Sequence, residues 1–137
     1  ISASSSYGGN PMACAAALAS TRVIEEENLN EWATHLGEVA LGRMRDMQQR
    51  HPIIGHVRAK GCLMGIELVK DRNTKEPFDK AGAEVYQKAF AKGLAWIPAG
   101  HILRMSPPIV MDEKTLLKGL DLIEESIAEV ETAHGYA

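Results

Sequence analysis

Little in this sequence invites a metal, a nucleic acid or a membrane. Cysteine is scarce, with Cys14 and Cys62 the two thiols in 137 residues. One falls in an alanine-rich helical stretch and the other in an apolar strand-like run, so both read as small buried hydrophobes rather than as a disulfide. Neither stands at metal-ligand spacing, which leaves zinc unsupported. A sequence with no disulfide framework is expected in a reducing cytoplasm. No cluster of lysine and arginine stands out, and a formal net charge of −3 gives no electrostatic reason to expect nucleic acid. No apolar run approaches the length of a membrane span, and the first residues do not read as a signal peptide. An initiator methionine is also lacking, since the sequence starts at Ile1.

What is present is an ordinary globular composition, 45% hydrophobic and 24% charged, long enough for one domain with a real core. Asn10 can accept from the free N–H groups of a first helical turn, and Pro11 suits the first helical position. A helix is therefore predicted from residue 11 to about residue 26. A second should resume near Glu31, with Trp32, Leu36, Ala40, Met44 and Met47 on its apolar stripe, and end at His51-Pro52. Residues 56–69 alternate as a strand does, with Gly61 and Gly65 marking a bend, a bulge or a close approach. Asp79 is placed to cap a third helix whose stripe is Ala83, Tyr86, Ala89 and Phe90 and which Gly93 ends. Short strands are expected at 94–97 and 102–105 around Pro98-Ala99-Gly100. A last helix from about Asp112 carries Leu116, Leu120, Ile123, Ile127 and Val130, and residues 134–137 should fray. His35, His51, His56, His101 and His134 show no acid or nucleophile pairing and are expected at the surface or in turns. The order predicts an α+β layer, helices covering one face of a small sheet.

Chemistry is confined to few places. Ser4-Ser5-Ser6-Tyr7-Gly8-Gly9 precedes the capped helix. Glycines let a backbone approach a ligand, and a helix N-terminus favours an anion, so the stretch can hold a phosphate with Ser6 as hydroxyl donor. On pattern alone an ordinary capped helix explains it as well. Arg104 offers a planar fork that pairs with a carboxylate through two parallel hydrogen bonds. Its alternative is an ion pair with a glutamate of the last helix.

Three ordered blocks carry a family resemblance. Ser6-Tyr7-Gly8-Gly9-Asn10-Pro11-Met12-Ala13-Cys14-Ala15 resembles the Thr/Ser-aromatic-Gly-Gly-Asn/His-Pro-x-Ala-Cys-Ala run of class III (omega) aminotransferases. Val57-Arg58-Ala59-Lys60-Gly61-Cys62-Leu63-Met64-Gly65-Ile66-Glu67-Leu68 resembles their Val-Arg-Gly-x-Gly-Leu-x-x-Gly-Ile-Glu-Leu segment, with Ala59 in place of a glycine. Leu103-Arg104-Met105-Ser106-Pro107-Pro108 resembles their Leu-Arg-x-x-Pro-Pro. The resemblance implies a pyridoxal 5′-phosphate (PLP) enzyme of fold type I. Residues 1–27 would then be the end of the large PLP-binding domain and a linking helix, and residues 28–137 the C-terminal small α+β domain.

It further implies that Ser6 and the Tyr7 N–H reach the PLP phosphate across a dimer interface, and that Arg104 binds a substrate carboxylate. Arg58 is read as structural. No catalytic residue is expected in this chain, because the family's Schiff-base lysine precedes the first block and would lie upstream of Ile1. None of the chain's own lysines has the buried or cation-flanked setting that lowers an amine's pKa. The implied activity is transfer of an amino group from an amino acid or amine to a keto acid, pyruvate or 2-oxoglutarate, by a homodimer or higher homo-oligomer with no nucleic-acid or membrane partner. Racemase, aminomutase and decarboxylating transaminase chemistry share these motifs. A truncated, non-catalytic interaction domain is the other alternative.

Overall fold

The computed structural model describes residue 5 and residues 8–136. Asn10 opens the first helix, α1 (Pro11–Glu26), its side-chain oxygen accepting from the N–H groups of Met12 at 2.9 Å and Ala13 at 3.3 Å. The next helix, α2 (Leu29–Arg50), begins at Leu29 rather than Glu31, because Leu29 is drawn into the core behind Asn28, which turns the chain at φ 52. Leu36, Ala40, Met44 and Met47 are fully buried along it, as their spacing predicts. Trp32 stays at the rim and donates its indole N–H to the Met111 carbonyl at 3.0 Å.

The run read as one strand is a hairpin. Its arms, β1 (Ile54–Lys60) and β2 (Leu63–Leu68), pair antiparallel about Gly61-Cys62, with Gly61 at φ +54. A glycine adopts that conformation without steric cost. The apolar parity changes there from odd (Val57, Ala59) to even (Cys62, Met64, Ile66), and that phase slip is the mark a tight turn leaves. The third strand, β3 (Ile102–Met105), lies antiparallel on the other side of β2, giving the order β1-β2-β3. Residues 94–97 form no strand, since no ladder partner lies beside them among the described residues; nearby stands just the isolated bridge Ala99 to Ile102.

The third helix, α3 (Asp79–Ala91), has Phe78 at its cap and Asp79 as its first helical residue. The Asp79 carboxylate accepts instead from the His101 N–H at 2.8 Å, tying the helix start to the turn before β3. Ala81, Val85 and Ala89 bury while Ala83 and Phe90 stay exposed, so the apolar stripe is rotated from the predicted one. Gly82 sets that rotation. A Cβ at this position would stand 2.0 Å from the Gly100 carbonyl oxygen, so α3 meets the turn backbone to backbone. Gly82→Ala is expected to cost roughly 1–3 kcal/mol by overpacking, read as a lower thermal midpoint; an unchanged midpoint would dismiss the close approach as a determinant.

The last helix, α4 (Glu113–His134), is capped by Asp112, whose carboxylate accepts the Thr115 N–H at 2.9 Å. Leu116, Leu120, Ile123, Ile127 and Val130 are buried as expected. Gly119 sits in the helix interior, where glycine costs about 1 kcal/mol relative to alanine. Residues 134–136 do not fray. Gly135 turns at φ +75, the Tyr136 N–H returns to the Glu131 carbonyl at 2.9 Å, and the Tyr136 hydroxyl donates to the Lys70 carbonyl at 3.1 Å. Phe78 supports this end edge-on against His134.

Both α2 and α3 pack on the inner face of the sheet, and α4 packs on both helices, closing one core with Val57, Met64, Ile66, Leu103 and Met105. One of the histidines expected outside is inside. His51 is buried at the end of α2, with Nδ1 2.6 Å from Glu131 Oε2 and Nε2 3.2 Å from Glu124 Oε1. His35, His101 and His134 each meet a carboxylate too, from Glu113, Asp79 and Glu84. Spacing could not show these pairs, since each joins residues far apart in the chain. Helix α1 buries none of its residues, so Cys14 is exposed against expectation; Cys62 is buried, in the hairpin turn rather than within a strand, and both thiols are free. No described helix is long and apolar enough to cross a membrane.

Candidate functional site

The strand register brings two arginines to one face. Arg58 on β1, Gly65 on β2 and Arg104 on β3 stand directly opposite one another, and residues so paired in antiparallel strands project to the same side. That side is the outer face, because Leu103 and Met105, flanking Arg104, point into the core. The Arg58 side chain lies over Gly65, where a Cβ would sit 3.6 Å from its Nε, and Nη1 donates to Glu67 Oε2 at 3.1 Å. Arg58 is thus committed to a structural ion pair.

Arg104 is not committed. It has no hydrogen-bond or ion-pair partner among the described residues. The glutamates of α4, its alternative partners, are all engaged elsewhere. Glu124 is held by Arg43 and Arg50, Glu129 by Lys88 and Lys92, Glu125 by Lys92, Glu131 by His51 and the Ile53 N–H, and Glu113 by His35. Burial opposes the Glu124 charge, yet hydrogen bonds from Arg43 and Arg50 outweigh it and hold the carboxyl at about 2. Hydrogen bonds from Lys92 and Lys88 bring Glu129 to about 2 as well. These carboxylates stay ionised on their own partners, leaving an exposed guanidinium fork with its donors free.

On the inner, core-facing side of the sheet a cavity of about 350 Å³ opens at the β3 edge. Met64 and Met105, a cross-strand pair, form its floor, and Trp96, Leu120 and Gly119 belong to its walls. Arg104 is the one charged residue among those described around it. The edge of Tyr86 or Trp96 meets the face of the other at 5.1 Å, which holds the indole in place. Sequence reasoning missed this cavity. Its trace in the sequence is a glycine within the apolar pattern of a long helix, at Gly119.

The phosphate reading of the first block meets a capped helix. Pro11 has no N–H, Asn10 Oδ1 takes those of Met12 and Ala13, and the Cys14 N–H bonds the Asn10 carbonyl at 2.9 Å. The first turn of α1 therefore has no donor left for an anion, and the helix-terminus contribution is corrected accordingly. Gly9, at φ +78 with nothing within 4 Å of a Cβ, leaves open space beside the turn. Ser6 and Tyr7, the two residues expected to reach the phosphate, lie outside the described residues. The described residues of this block therefore offer open space at Gly9 but no free helix N–H for a phosphate. No described lysine is buried. A hydrogen bond from Lys70 to Glu76 and those from Lys92 to Glu129 and Glu125 push these amines up, away from nucleophilic use.

Comparison with known proteins gives consistent results. The family description "Aminotransferase class-III" matches residues 2–127. An isoleucine 2-epimerase of Lentilactobacillus buchneri is 46% identical over 124 residues, spanning 90% of this chain and 28% of its own. A leucine/methionine racemase of Thermococcus litoralis is 42% identical over 125 residues, again 90% of this chain and 28% of its own. A 5-aminovalerate aminotransferase of Pseudomonas putida is 39% identical over 127 residues, 90% of this chain and 30% of its own. Among solved structures, an aminotransferase of Bacillus anthracis superposes with a TM-score of 0.83 at 34% identity, covering 90% of this chain and 29% of that one. The chain thus spans less than a third of the length of the relatives it matches.

Proposed function

The chain belongs to the class III aminotransferases, and from that premise we propose that it is the C-terminal part of an enzyme that moves an amino group from an amino acid or amine to a keto acid. The observation that carries this reading is the unpaired guanidinium of Arg104 on the outer face of the sheet. A guanidinium left without a carboxylate among the described residues, while neighbouring acids are locked to other cations, is poised for a carboxylate from outside. Arg104 would bind it through two parallel hydrogen bonds and fix the plane in which the reacting carbon sits.

PLP is the cofactor of this family, and when bound it supplies an electron sink at the carbon bearing the amino group. In this chain the Ser6 hydroxyl and the Tyr7 N–H would hold its phosphate, beside the turn that Gly9 and Asn10 make into α1. Residues 1–27 would close the large domain, which suits the absence of buried residues in α1 and the exposure of Met12, Leu18 and Val23. Residues 28–137 would form the small domain that carries Arg104. The enzyme would act in the cytoplasm as a homodimer or higher homo-oligomer.

The racemase reading has its own support, since two relatives bear racemase or epimerase names. Chiral product analysis on the full-length enzyme separates the two. With an amino donor plus pyruvate or 2-oxoglutarate, new amino acid should form from the keto acid in step with donor consumption. Enantiomer of the donor accumulating without any keto acid would replace the transaminase assignment with a racemase.

A further inference from the structure

The strands carry more positive charge on the outer face of the sheet than they balance. Arg58, Lys60 and Arg104 share that face with His56, and Glu67 is the single carboxylate among them. With His56 neutral, three cations against one carboxylate leave an excess of two positive charges. Lys75, from the loop after β2, adds a further cation, joining Arg58, His56 and Glu67 around one hollow. Such a face suits a ligand with two negative charges.

Gly65 brings two of these cations together. Arg58 and Arg104 pair with it from either side, and adjacent strands about 4.8 Å apart put their Cα atoms about 10 Å from each other. Arg58 shortens that gap. Its Nε, Cγ and Cζ lie 3.6–3.7 Å from where a Gly65 Cβ would stand, so the side chain reaches across β2 towards β3. Gly65 is buried beneath it, and a branched side chain there would take the space that Arg58 occupies. The bond to Glu67 fixes Arg58 without saturating it. Nη1 makes that bond, whereas Nε and Nη2 have no partner among the described residues, and the side chain stays 45% exposed.

We propose that Arg58 and Arg104 form one site for a dicarboxylic substrate, with Arg104 holding the carboxylate next to the reacting carbon and Arg58 the distal one. Each guanidinium then meets a carboxylate, and Gly65 is the floor between them. A monocarboxylate would leave Arg58 with its free donors unmet. Of the two acceptors, the site selects 2-oxoglutarate over pyruvate. The proposal rests on the clamp role of Arg104 and goes beyond it by naming the substrate class and a second residue that recognises it.

Calorimetric titration of the full-length enzyme with two unreactive acids, glutarate and butyrate, makes the test. Glutarate should bind at least about tenfold more tightly, as a second charge-assisted pair provides. Arg58→Met keeps an apolar stem over Gly65 and removes the charge. It should weaken glutarate by about tenfold or more and leave butyrate within about twofold. Gly65→Val should act in the same direction by displacing Arg58. Glu67→Gln removes the ion pair but not the guanidinium, so the preference for glutarate should survive it. The double variant Arg58→Met/Glu67→Gln should still lack that preference. A preference restored there would trace the loss to repulsion by an unpaired Glu67 and overturn the role of Arg58. Arg104→Ala should weaken both acids. If it does so while Arg58→Met leaves the preference intact or weakens both acids alike, the second contact falls and the clamp stands. If Arg104→Ala changes neither affinity, the clamp falls and the two-arginine site with it. An unsubstituted enzyme with no preference for glutarate overturns the proposal outright.

Discussion

Arg104→Ala in the full-length enzyme should lower kcat/KM for carboxylate substrates by roughly 100- to 1,000-fold and leave PLP affinity unchanged. The magnitude follows from losing two charge-assisted hydrogen bonds, each worth about 1.5–3 kcal/mol, with part of that loss offset by water at an exposed site. The direction follows from geometry. Arg104 has no described partner, so the substitution breaks no internal ion pair and the loss should be confined to the ligand. Arg104→Lys provides the contrast. An ammonium keeps the charge and loses the planar fork, so it should recover a minor part of the activity and tolerate misorientation of the substrate. Steady-state kinetics with a carboxylate and a non-carboxylate amine donor checks the assignment, and identical losses on both would refute it.

Acid should produce the second large effect, through Glu124. This carboxyl joins α4 to α2, receiving Arg43, Arg50 and His51 at the close of the core. Burial raises its pKa, but the hydrogen bonds from Arg43 and Arg50 dominate and lower it from 4.5 to about 2. A pKa depressed in the folded state contributes stability that is complete above the unfolded value and lost as pH falls through the folded one. The window therefore runs from about pH 4.5 down to about pH 2. The depression corresponds to stabilisation on the order of 3 kcal/mol at neutral pH.

Glu124→Gln should therefore lower the thermal midpoint at pH 7 and flatten its dependence on acid across that window. A residual slope should remain from Glu129, which is also held at about 2 and titrates in the same range. Thermal melts of the protein and the variant between pH 7 and pH 2 make the measurement. Parallel curves would show that the α2–α4 cluster contributes no linkage.

Some of this was readable from the residues alone. Asn10-Pro11 and Asp112 start helices because a capping side chain acts on N–H groups two or three residues away, within reach of local pattern. The stripes of α2 and α4 are legible because burial on one side of a long helix imposes its period on the sequence. Short elements fared differently. In α3 the buried stripe is set by Gly82 lying against Gly100, a contact that propensity does not carry. Residues 94–97 have the composition of a strand, but a strand exists through its neighbours. The hairpin could have been found from the parity change at Gly61.

The sequence by itself determined the α+β class, the long helices, the family, and Arg104 as a carboxylate-binding candidate, since each is written in periodicity or in a run of adjacent residues. The tertiary structure alone decided what surrounds that arginine. It showed that the α4 glutamates are held by Arg43, Arg50, Lys88, Lys92, His35 and His51, that Arg58 is paired with Glu67 while Arg104 has no partner among the described residues, and that an apolar cavity opens on the inner side of the sheet at the β3 edge. Most of these pairs join residues more than thirty positions apart, as His51 and Glu131 do at a separation of 80. An ion pair between distant residues depends on where the chain returns after folding, and no local spacing records it.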